Sequence, residues 1–151
     1  MRDQFTGDDG IVLDNAMAFW IARVYLASRG ILYRRFRAHG APLTPEQWMV
    51  LVRLWEAEGV TQAHMAARTL RDEPTISRIV AVMERDGLIE RRADPADRRS
   101  RLLYLTERGR SLRRTLVPEA RAMVRESLAG IPEDDLVIAR RVLQRMAENL
   151  A

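Results

Sequence analysis

The chain has 151 residues, 47% hydrophobic and 30% charged, with 25 basic against 21 acidic side chains, a length that suits one compact unit rather than two domains. Its longest charge-free stretch, Gly59 to Ala67, has nine residues, far short of the roughly 20 that a membrane-spanning helix needs. Cysteine is absent, which excludes disulfides, thiol switches and cysteine zinc sites, and Asp3, Asp8, Asp9 and Asp14 have the wrong sign for a secretory signal, so a cytoplasmic protein is expected.

Every basic residue is arginine. GC-rich coding bias is the plain explanation, beside the known preference of arginine for phosphate and carboxylate partners. A net charge of +4 and a pI near 10.5 fit a nucleic-acid partner without establishing one.

In chain order, residues 11–38 read as one long helix, with Ile11, Asn15, Ala18, Ala22, Tyr25, Arg29, Leu32 and Phe36 at spacings of three and four. Such a helix would span roughly 40 Å, more than a small monomer's core can cover. Gly40 and Pro42 end it. Thr44, Pro45 and Gln47 start a second helix as N-cap, first helical residue and capping-box partner; it turns Trp48, Leu51, Val52 and Trp55 inward and stops at Gly59. Thr61 caps a short third helix, Gln62 to about Leu70, with Met65, Ala66 and Ala67 as apolar contacts. A fourth runs from near Pro74 to Asp86 and ends at Gly87, placed for a left-handed C-cap. Residues 88–92 and 101–105 flank the turn cluster Asp94-Pro95-Ala96-Asp97 and predict a β-hairpin. Thr106 caps a fifth helix towards Gly130, with a kink or restart expected at Pro118. Pro132 and the acidic residues after it open a sixth, with Leu136, Val137, Ala139, Val142, Leu143, Met146 and Leu150 on its apolar face.

Helix, short helix, tight turn, helix and hairpin is the order of a winged helix-turn-helix. At about 100° per residue, Ile76, Ile79, Val80 and Met83 form one core stripe of the fourth helix, and Pro74, Arg78, Ala81 and Arg85 fall opposite. That outer face suits a major groove. Arg78 can fork onto guanine, Thr75 and Ser77 can reach phosphates or base edges, and Ala81 permits close approach. A plain amphipathic helix with a wet polar side is the competing reading. From Arg91 to Arg101 the hairpin tip carries five arginines and two aspartates in eleven residues, a set that can enter a minor groove or simply protect a sheet edge. Asp97 is read as orienting an arginine by a salt bridge.

Catalysis has little to stand on. His39 and His64 are the two histidines, no carboxylate pair has a spacing that demands chemistry, and no metal-ligand pattern is seen. Neither an enzyme nor a cofactor is expected.

The runs Val60-Thr61-Gln62-Ala63-His64-Met65-Ala66, Pro74-Thr75-Ile76-Ser77-Arg78-Ile79-Val80 and Met83-Glu84-Arg85-Asp86-Gly87-Leu88-Ile89 resemble the MarR family of bacterial transcriptional regulators. Asp97-Arg98-Arg99, followed by Leu105-Thr106-Glu107-Arg108-Gly109, is similar to that family's wing and to the motif opening its next helix. The likeness covers about residues 44–110. It implies a homodimer on a palindromic DNA operator, most simply a repressor released by a small aromatic or phenolic ligand. The expected fold is mainly α with a small antiparallel hairpin, a winged helix-turn-helix flanked by N- and C-terminal dimerisation helices. Its expected parts are 1–41 (dimerisation), 42–105 (DNA-binding lobe) and 106–151 (dimerisation), not independently folding. Candidate DNA contacts are Gln62, Arg71, Pro74, Thr75, Ser77, Arg78, Arg98, Arg99 and Arg101. The family often has an apolar residue where Arg71 stands, so Arg71 either reaches a phosphate or marks a looser turn. Trp20 and Arg23, three apart on the first helix, and His39 near its end are the candidate ligand contacts. The alternative is a winged-helix module for protein–protein contact.

Overall fold

In a computed structural model, residues 6–7, 10–97 and 99–151 are described. Two short strands, β1 (Thr6–Gly7) and β2 (Gly10–Ile11), pair antiparallel and lead through a 3-10 turn, Leu13–Asn15, into α1 (Met17–Ala38). The long first helix therefore begins at Met17 rather than at residue 11 and spans about 33 Å. Asp14 and Asn15 favour a turn over helix propagation, and Ala16 is extended. The Trp20 indole Nε1 donates to the Asp14 carbonyl at 2.8 Å and ties the turn to the helix.

The predicted cap of α2 (Pro45–Glu56) is present in full. The Gln47 backbone N–H donates to Thr44 Oγ1 at 3.2 Å, and the Thr44 N–H donates to Gln47 Oε1 at 2.8 Å. The helix ends at Glu56, and Gly59 (φ +73°) makes the turn beyond it. Val50, Leu51 and Leu54 are its buried residues alongside Gln47, whereas Trp48, Val52 and Trp55 are half-buried.

Next come α3 (Gln62–Thr69) and α4 (Glu73–Arg85), joined by a turn in which Leu70 is left-handed at φ 55°. Met65 and Ala66 of α3 are buried, but Ala67 is exposed. Ile76, Val80 and Met83 form the buried stripe of α4, with Ile79 packed at its edge.

The hairpin is β4 (Ile89–Ala93) and β5 (Arg101–Leu105), in the register Ile89↔Leu105 to Ala93↔Arg101. A third strand, β3 (Val60–Thr61), pairs with Leu102 and Leu103 on the other side of β5, an element absent from the sequence reading. α5 (Glu107–Ser127) runs unbroken through Pro118, so the expected kink or restart does not divide it. Pro118 is exposed, where water can satisfy the carbonyl that loses its partner. α6 (Glu133–Asn149) closes the chain with no buried residue.

One core joins the C-terminal half of α1, all of the winged helix and the start of α5, from Phe36 through Leu51, Ile76 and Leu103 to Leu116. The hairpin is fastened to α5 twice. Thr106 Oγ1 accepts from the Gly109 N–H at 3.1 Å and donates to the Gly87 carbonyl at 2.6 Å. Glu58 accepts the Leu105 N–H at 3.0 Å and pairs with Arg110 at 2.7 Å. No helix among the described residues is long and apolar enough to cross a membrane.

Candidate nucleic-acid interface

Asp72 begins the exposed face of α4. Its Oδ1 accepts the Thr75 backbone N–H at 2.7 Å and its Oδ2 accepts the Thr75 hydroxyl at 2.9 Å. The Thr75 bonds, with a smaller contribution from the Arg78 charge, hold the Asp72 carboxyl below its ordinary value of 3.8, so it is ionised at neutral pH. Pro74, Ser77, Arg78 and Ala81 are exposed and Thr75 is half-buried, matching the outward face drawn from the wheel. Arg78 folds back along the helix, where its Nε donates to the Pro74 carbonyl at 3.3 Å. Both of its terminal nitrogens remain as donors.

The wing stands beside this helix. At its tip the Asp97 carboxylate accepts the Arg99 backbone N–H at 3.0 Å, and the Ala96 N–H donates to Asp94 at 2.8 Å. Asp97 thus holds the wing through the backbone of the turn, and the salt bridge expected from it involves none of the arginines among the described residues. Arg98 lies outside the described residues. Arg99 and Arg101 are exposed.

Other arginines of this lobe are already paired. Arg68 meets Glu56 at 2.9 Å, Arg91 meets Glu84 at 3.6 Å, Arg85 meets Asp86 at 3.1 Å, and Arg92 pairs with Glu90 while stacking over Tyr104. Among the described residues, Arg78, Arg99 and Arg101 have no such carboxylate. Gln62 is half-buried at the start of α3, and its Oε1 is buried without a partner among the described residues. Arg71 turns towards Glu46 at 3.9 Å.

Arg71 and Glu46 belong to a feature that sequence reasoning missed. A cavity of about 310 Å³ opens between α1, α2 and the α3–α4 pair, lined among others by Tyr25, Ser28, Arg29, Trp48, Met49 and Ile76. Arg29, at 3.7 Å from Glu46, stands on the same carboxylate as Arg71. Helical spacing in α1 and α2 hinted at apolar faces, but nothing local revealed that they leave a gap against α4.

The three candidate ligand residues do not form one site. Arg23 stacks on Trp20 at 5.1 Å near the start of α1, and Trp20 lines a groove with Ile138 and Val142 of α6. His39 sits at the other end, roughly 28 Å along the helix, with its Nε2 at 3.0 Å from Glu119. Among the described residues, no group of three or more His, Cys, Asp or Glu is placed to hold a metal ion.

The family model described as MarR family matches residues 43–100. A transcriptional regulator (MarR family) from Rhodococcus sp. RHA1 is similar in structure, with a TM-score of 0.75 and 32% identity, covering 90% of this chain and 95% of its own. CouR from Rhodococcus jostii RHA1, solved bound to p-coumaroyl-CoA, gives a TM-score of 0.78 at 33% identity, over 90% of this chain and 94% of its own. In sequence, the HTH-type transcriptional regulator TtmR of Methylorubrum extorquens (strain PA1) is 34% identical over 108 residues. That match covers 70% of this chain and spans about half, 53%, of TtmR.

Proposed function

The chain belongs to the MarR family of transcriptional regulators, and from that premise we propose that it is a homodimeric, sequence-specific DNA-binding repressor released by a small aromatic anion. The observation that carries the DNA reading is the outward stripe of α4. It sets Arg78, in salt-bridge contact with no carboxylate among the described residues, beside a slim Ala81 and next to an arginine-bearing wing. A forked arginine there suits the O6 and N7 acceptors of guanine, and Arg99 and Arg101 suit phosphate or the minor groove. The division into 1–41, 42–105 and 106–151 then reads as dimerisation, DNA-binding and dimerisation segments around one shared core.

Two unpartnered faces support the dimer. Trp20, Ile21, Val24, Val137, Ile138, Val142 and Leu143 are exposed on α1 and α6, more apolar surface than a monomer ordinarily leaves wet. The cavity beside α4 supports the effector. Of its charged residues, Arg29 and Arg71 outnumber Glu46 by one, so it has room and charge for one aromatic monoanion against Trp48 and Tyr25. Arg71 directly precedes Asp72, the cap of α4. A ligand drawn to Arg71 therefore biases the recognition helix, and by linkage it lowers operator affinity as far as it prefers the unbound state. CouR, bound to p-coumaroyl-CoA, makes an aromatic acid or its thioester a reasonable first class to try.

Selection from a random duplex library tests this. The expected result is an enriched palindrome with half-site centres about one helical turn, 10–10.5 bp, apart or a small multiple of it, and release of that duplex by a hydroxylated aromatic acid. A library that stays unenriched, with the protein instead retaining an acidic protein partner through the wing, would favour the protein–protein reading.

A further inference from the structure

The first turn of α4 fixes the direction of one hydrogen bond, and with it what Thr75 can accept from a base pair. The Thr75 hydroxyl donates to Oδ2 of Asp72 at 2.9 Å, while the Thr75 backbone N–H holds Oδ1 at 2.7 Å. A hydroxyl has one proton and two lone pairs, and an ionised carboxylate can only accept. The proton of Thr75 is therefore committed to Asp72, and its oxygen has only lone pairs left to offer. A phosphate also brings only acceptors, so it finds no donor there. Its charge is wrong too, because a phosphate close enough to touch this oxygen would face the Asp72 carboxylate beside it, and like charges repel.

The donors that a major groove presents are the exocyclic amino groups, N4 of cytosine and N6 of adenine. Thr75 lies one turn before Arg78, half-buried at the edge of the outward stripe. The two carry opposite polarity, lone pairs at Thr75 and free N–H groups at the end of Arg78.

We propose that Thr75, backed by Asp72, reads an exocyclic amino group in the major groove and is a specificity-determining residue, not a phosphate contact. This rests on the reading of α4 as the DNA-recognition helix. The test repeats the library selection with the full chain as wild type, Thr75→Ser and Thr75→Val. Wild type and Thr75→Ser enrich cytosine or adenine at one position of each half-site. Thr75→Val, similar in shape but without the oxygen, loses about five- to tenfold of that preference, the size of one net hydrogen bond, and keeps the other positions. On the wild-type protein, an operator carrying purine for that adenine, or 2-pyrimidinone for that cytosine, reproduces the loss and identifies the base. Two results would overturn the assignment: an unchanged preference in Thr75→Val, or a uniform weakening on all sequences with a shallower salt dependence, the mark of a phosphate contact. A wild-type protein that enriches no sequence would bring down the reading of α4 itself, and this assignment with it.

Discussion

Gly109 shows how one missing methyl group fixes a fold. A Cβ at this position would stand 2.1 Å from the Leu88 carbonyl oxygen and 3.1 Å from Leu105, so α5 can dock on the base of the hairpin only over a glycine. Gly109→Ala should cost at least the roughly 1–3 kcal/mol typical of overpacking, read as a lower midpoint in urea at an unchanged slope. Leu70 is the opposite case, a leucine held left-handed at φ 55° and 89% exposed. That conformation costs a non-glycine residue roughly 1–2 kcal/mol, and a glycine gives back part of it through its freer unfolded chain. Leu70→Gly is expected to raise stability by roughly 0.5–1 kcal/mol, and the same urea titration would show a fall if the side chain had a packing role. Arg78→Ala should lose about 1–3 kcal/mol of discrimination at one base pair while other positions keep theirs; binding to variant duplexes measures it.

At the level of elements, what the sequence made legible was what is local. Thr44, Pro45 and Gln47 announce α2, Gly87 ends α4, and Thr106 with Gly109 opens α5, because each device acts within a few residues of itself. What it concealed is non-local. The strand Val60–Thr61 is too short to show a period, and its partner Leu102–Leu103 is some forty residues away. The 310 Å³ cavity is lined from α1, α2 and α4 together, and Arg71 is drawn to Glu46 by a neighbour that no spacing reveals. The wing is the element whose charge was plainest and whose chemistry was least so, since Asp97 acts on a backbone amide. Substituting Arg99→Ala should leave that turn intact and weaken DNA binding on all sequences, with the log–log salt slope reduced by about one. A loss confined to one base pair would instead place Arg99 on a base edge.

Over the whole molecule, the core is complete around the winged helix and incomplete at both ends of the chain. Phe36, Leu51, Ile76 and Leu103 are fully buried, while α6 buries nothing and the first half of α1 exposes Trp20, Ile21 and Val24. The proposed second copy would cover these faces and account for both facts. Val142→Asp is expected to turn a dimer into a monomer in sedimentation equilibrium and to abolish operator binding; a monomeric wild type would refute the dimer. The central claim, that this chain reads DNA sequence, is met most directly by titrating the purified protein against the intergenic DNA beside its own gene at two salt concentrations, with random duplex as control. Saturable binding well above the random duplex, weakening steeply with salt as phosphate contacts require, is the predicted result. Binding that is weak and equal on both duplexes would contradict it.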